Sequence, residues 1–272
     1  MSLLDANITA VPAETSSQFR VLTVVSIVLL ALTVLWGFVD VRTIEGVPVW
    51  MKPLKFALSF VVLFGTIALV ERRLSDRVRD GWTLRIIGWL MAAAFLSEMA
   101  YMMYQAGRAE PSHFNVSTPF HRMMYEIVMA AGAVSLVAAT AVIGWVVKRD
   151  KRADLGPALR EAIWLGFLLT FLLTMVVAGY LSVNGSHFVG LHPEGAPTMP
   201  FFGWSGIAGD LRPAHFASIH AMQALPLMAI WLDRRGRPGS LRTIRLAALG
   251  YSIVTVALFG QALLEIPLIP LR

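Results

Sequence analysis

The stretch Gly209–Leu232, GDLRPAHFASIHAMQALPLMAIWL, decides how this chain is read. It has the length of a helix that crosses a bilayer, about 20 residues, yet Asp210, Arg212, His215, His220 and Gln223 lie toward its first end. A helix facing lipid has no use for such groups, and ionisable side chains at membrane depth are costly enough to point to function. The expectation is a helix packed among other helices, with its polar end turned into a shared cavity.

The flanking sequence supplies those other helices. Of the 272 residues, 57% are hydrophobic and 15% are charged, where a soluble domain carries about a quarter charged. Apolar runs near 20–40, 52–70, 82–105, 119–147, 158–182 and 243–265 join 211–232 in approaching the spanning length. They predict an all-α integral membrane protein: a bundle of seven transmembrane helices forming one domain over 20–272. Outer loops are expected at 106–118 and 183–209, and 1–19 reads as a flexible N-terminal tail lacking the basic start of a signal peptide.

Charge placement gives the expected orientation. The net charge of +6 would suggest nucleic acid in a soluble protein, but here the basic residues sit in short connections. The connections 71–80, 148–156 and 233–242, with Arg20, Arg85, Arg160 and Arg245 beside them, hold 16 of the 23 Lys and Arg. Short loops rich in Lys and Arg stay in the cytoplasm. The N-terminus is therefore expected inside and the C-terminus outside, in a bacterial inner membrane, with the lipid bilayer as partner, no nucleic acid, and a homo-oligomer compatible with the sequence. The absence of cysteine excludes disulfides and thiolate metal sites.

With this orientation His113, His121, His187, His192, His215 and His220 all fall toward the outer face. His215 and His220 are five residues apart, about 140° around a helix, so they point to different sides; His220 and Gln223 share one. On the third run Glu98 and Tyr101 lie along one side, with Gln105 a further turn away. The fourth opens with His121, Arg122, Tyr125 and Glu126, and the second with Lys52 and Lys55 beside Trp50. Basic and aromatic residues anchor helices at this depth, but lysines on the outer side run against the orientation rule, which favours an anion as an added reason for them.

Three readings follow. The first is a redox protein holding haem b or a transition metal, with ligands from His113, His121, His215 and His220, and with Lys52, Lys55, Arg122, Arg212 and Gln223 around the cofactor. The second is a protein that binds or transports a small anionic or lipid-like molecule in the same cavity. The third is a metal-dependent lipid hydrolase, with Glu98, Tyr101 or Glu126 catalytic. Other chemistries are excluded: the last lysine is Lys151, which leaves no late lysine for a retinal Schiff base, and no histidine follows His220, whereas seven-helix zinc hydrolases need a His-x-x-x-His pair near the end of the chain. HExxH, GxSxG and phosphate-loop motifs are absent.

Overall fold

The computed structural model describes residues 17–236 and 239–271; most of the tail expected at 1–19 lies outside them. Long helices dominate. We number them α1 (Gln18–Trp36), α2 (Met51–Glu71), α3 (Trp82–Gly107), α4 (Pro119–Arg149), α5 (Pro157–Asn184), α6 (Arg212–Arg234) and α7 (Leu241–Leu263). All but α6 are long and apolar enough to cross a membrane, and the chain has the architecture of a multi-pass membrane protein. Here α6 departs from the expectation. At 23 residues it is long enough, but Arg212, His215, His220, Gln223, Asp233 and Arg234 lower its hydropathy.

Local chemistry sets the boundaries. Ser17 caps α1 and also donates its hydroxyl to Glu71 at the end of α2. Thr118 caps α4 by accepting the amide of His121, with Pro119 as the first helical residue. Ser240 caps α7 through the amide of Thr243. Near its start α4 widens into a π turn over Met124–Met129. Successive helices pack in sequence from α1 to α5, and α6 and α7 both lie against α5.

The core is aromatic and sulfur-rich, built from Phe19, Phe64, Phe95, Met91, Met99 and Met102. Phe60, Phe64 and Phe95 form a cluster with centroid separations of 4.7 to 5.8 Å. Methionine fills such irregular gaps well, and these sulfurs read as packing. Small residues let helices approach where packing alone must hold them: a Cβ on Gly166 of α5 would lie 2.7 Å from the carbonyl oxygen of Ala221 on α6.

The two ends of the bundle differ. At one end arginines and lysines lie over tryptophans, Arg85 on Trp82, Arg149 on Trp145, Lys148 on Trp164 and Arg235 on Trp231, at 4.5 to 5.1 Å. At the other end two short hairpins shape the loops. β1 (Thr43–Ile44) pairs with β2 (Val47–Pro48) through a tight turn in which Glu45 and Gly46 both have positive φ. β3 (Phe188–Val189) pairs with β4 (Gly209–Asp210), so the long loop between α5 and α6 folds back on itself and sets Phe188 opposite Asp210.

Candidate functional site

That second hairpin places the start of α6. Leu211 is the N-cap of α6, and Asp210 before it sits in the ladder with a fully enclosed carboxylate. Its Oδ1 accepts from the amide and Nε of Arg212 at 3.0 and 2.9 Å, and its Oδ2 accepts from the Ser205 amide at 2.8 Å and Arg212 Nη2 at 2.6 Å. Arg212 Nη2 also donates to Gly203 O at 2.6 Å, and the guanidinium lies 5.0 Å over the Phe188 ring. Phe188 stacks on His192 at 3.7 Å, whose Nδ1 meets Ser205 Oγ at 3.0 Å. Arg212 was expected to face a ligand. Through Nε and Nη2 its fork-shaped bonds clamp the loop onto the helix.

Farther along α6 the polar side chains diverge as their spacing requires. His220 Nδ1 faces Gln223 Oε1 at 3.2 Å, and Gln223 Nε2 donates to Thr66 Oγ1 on α2 at 3.1 Å. Thr174 Oγ1 of α5 meets Ser218 Oγ at 3.1 Å, and Thr170 Oγ1 accepts the Met222 amide at 3.0 Å. These bonds tie α6 to α2 and α5. His215 points elsewhere, and its Nδ1 is buried without a hydrogen-bond partner among the described residues.

Loops bring a second group together around Lys52. The tripeptide Ser-His-Phe occurs at 112–114 and again at 186–188, and folding brings the two copies close. Phe114 lies edge-on to His187 at 5.1 Å and to Tyr125 at 5.2 Å, while His113 packs on Phe56 at 5.5 Å and Tyr125 at 5.9 Å. Burial, then the positive charge of Lys52 and the His187 ring, hold His113 well below the ordinary histidine range. Burial, then Arg212 and Lys52, lower His187 to about 3, Asp210 pulling the other way. Both rings are neutral near pH 7. Lys52 itself has no hydrogen bond or salt bridge among the described residues and feels only the longer-range attraction of Glu45. Lys55 Nζ donates to Phe202 O at 3.2 Å.

The remaining expected residues are dispersed. His121 is held by two amides, with Gln105 Nε2 at 3.0 Å and Asn115 Nδ2 at 2.9 Å from its Nδ1. Both are donors, so Nδ1 accepts and the ring proton is on Nε2, 4.0 Å from Glu110 Oε2. Glu98 and Tyr101 are buried on α3, whereas Arg122 and Glu126 are exposed on α4. Among the described residues no three His, Asp or Glu side chains gather as a metal would require, so His113, His121, His215 and His220 do not form one ligand set. Sequence alone assigned His187 and Asn115 no role in the site; the repeated Ser-His-Phe was the available signal for the first. Comparison of the chain with protein-family models, curated proteins and solved structures gives no match.

Proposed function

We propose that this protein is a seven-span membrane protein that binds a small anion, or the anionic end of a lipid-like molecule, at its histidine-rich end. The single observation that carries the reading is Lys52, a cation without salt bridge or hydrogen bond among the described residues, set beside the neutral rings of His113 and His187. A partly buried cation whose nearest counter-charge is the longer-range Glu45 favours an incoming anion. Lys55 lies one turn farther along α2, and the two neutral imidazoles can donate to the oxygens of a carboxylate or phosphate.

In this reading α6 crosses the membrane with the other helices, its polar side shielded by α2 and α5 through Gln223, Thr66, Thr170 and Thr174. The arginine-rich loops lie in the cytoplasm of a bacterial cell, which sets the anion site on the periplasmic face of the inner membrane. Calorimetric titration of the detergent-purified protein with inorganic phosphate and with acetate tests it. Binding is expected in the wild type and in Arg122→Ala, and lost in Lys52→Ala; no binding, or equal binding in all three proteins, overturns the reading.

A second reading, haem b or a transition metal, is favoured by one feature: Nδ1 of His187 and Nδ1 of His215 are both buried without partners among the described residues. Neutral imidazole nitrogens of this kind are good ligands. An absorption spectrum with metal analysis of the purified protein checks it; no Soret band and no stoichiometric metal would end it.

A further inference from the structure

Glu98, Tyr101 and Gln105 lie along α3 at intervals of three and four residues, which places them on one face. Their exposures are 5%, 6% and 0%. Each leaves a polar atom enclosed without a hydrogen-bond partner among the described residues: Glu98 Oε1, the Tyr101 hydroxyl and Gln105 Oε1. Buried polar atoms are ordinarily satisfied. Three unsatisfied ones in succession, over about 10 Å of helix rise, mark a line of unmet hydrogen-bonding demand along one face of α3.

The two ends of that line differ in character. At its deep end Glu98 lies against α4 so closely that a Cβ on Gly132 would meet Oε1 at 2.6 Å. No charged side chain of α1, α2 or α4 acts on this carboxyl, and it has no ion pair among the described residues. At its shallow end Gln105 Nε2 donates to Pro111 O and to His121 Nδ1. The ring proton of His121 sits on the far nitrogen, facing Glu110, whose side chain is 34% exposed. The helix opposite carries the π turn Met124–Met129, and widened turns of that kind recur at functional sites.

We propose that Glu98 is a proton-binding site inside the bundle, filled from the histidine-rich end along Glu110, His121, Gln105 and Tyr101, with water bridging the rungs. An isolated carboxylate at membrane depth is expensive, and a proton is the smallest group that removes its charge. In the binding step a proton leaves bulk water, an O–H bond forms on the Glu98 carboxylate, and the site passes from charge minus one to zero. No other reactant is consumed. The ladder shares no residue with the Lys52 cluster, so this inference stands or falls separately from the anion reading.

The test is infrared difference spectroscopy on the full chain in lipid nanodiscs, reading the C=O stretch of protonated carboxyl groups. At neutral pH the wild type should show such a band, and Glu98→Gln, which keeps size and shape, should remove it. Absence of the band in the wild type, or a band unchanged in Glu98→Gln, overturns the proposal. Transfer to deuterated buffer shifts the band at a rate set by access. Tyr101→Phe and Gln105→Leu should each slow that shift several-fold, and an unchanged rate in both overturns the route.

Discussion

Two glycines sit at close helix crossings in this bundle, and what each one meets is different. Gly166 on α5 meets backbone, the carbonyl oxygen of Ala221, and the polar side chains around that crossing are paired: Thr174 with Ser218, Thr170 with the amide of Met222. Gly132 on α4 meets the carboxyl of Glu98, and the polar atoms above it on α3 are unpaired among the described residues. Both seams place polar groups inside the bundle. The first uses them to hold two helices in register, as interhelical hydrogen bonds do in lipid. The second leaves them open, at a cost in stability that only a ligand would offset.

The largest effect is expected at the paired seam. Gly166→Ala puts a methyl group against backbone, which cannot rotate aside, so α5 and α6 must separate. Overpacking of this kind costs roughly 1–3 kcal/mol, and thermal unfolding in detergent should show a clear drop. Gly132→Ala presses on a movable side-chain end instead, and should cost less. Equal losses would erase the distinction between the seams.

Acid should separate the halves next. The His187 value of about 3 lies far below an ordinary histidine, so between pH 6.5 and about 3 the unfolded chain binds a proton that the folded chain refuses. Stability therefore falls as pH is lowered through that window, by about 2 kcal/mol at pH 5 for this residue. His113 adds in the same direction. Melting curves at neutral pH and at pH 5 measure the drop, and His187→Asn should flatten it. An unchanged drop in that variant would show that His187 is not the responsible ring.

Much of this architecture is legible in the sequence, because apolar runs of spanning length need only be counted. The helix bounds shift by a few residues; α1 ends at Trp36, where the apolar run alone suggested 40. The difficult element is the one that organised the reading. The polar residues of α6 are correctly placed near one end, but no periodicity says whether Arg212 faces a ligand or Asp210, two residues before it. The β3–β4 hairpin decides that, and two-residue strands leave no pattern to read. Pairing through loops is equally hidden: His187 approaches Phe114 and Lys52 only after the chain between α5 and α6 has folded back. The face holding Glu98, Tyr101 and Gln105 is visible from spacing, whereas its lack of partners is a property of the surrounding helices.

A smaller loss is expected from a single hydroxyl of the paired seam. Thr170→Val keeps the shape of the side chain and removes the acceptor of the Met222 amide, together with a longer bond to Ile219 O at 3.4 Å. Interhelical hydrogen bonds in membrane bundles are worth about 0.6 kcal/mol on average and seldom exceed about 1.7. Because Thr170 is 2% exposed, water cannot take over the role, and the loss should fall in the upper part of that range. A melting temperature equal to that of the wild type would mean that the seam is held by packing at Gly166 and not by its hydroxyls.

The smallest stability change should come from the open seam, and there its sign carries the information. Glu98→Gln replaces a carboxyl that has no cationic partner among the described residues with a neutral amide of nearly the same volume. Had Glu98 been half of a buried ion pair, removing it would leave an uncompensated charge and cost about 3–5 kcal/mol. Without such a pair the variant should melt at the wild-type temperature or slightly above it at neutral pH. At alkaline pH the two proteins should part, because the wild type must either keep its proton or bury a charge while the amide faces neither demand. A Glu98→Gln protein that is markedly less stable than the wild type at every pH would make this carboxyl a structural tie, and the two glycine crossings would then be alike.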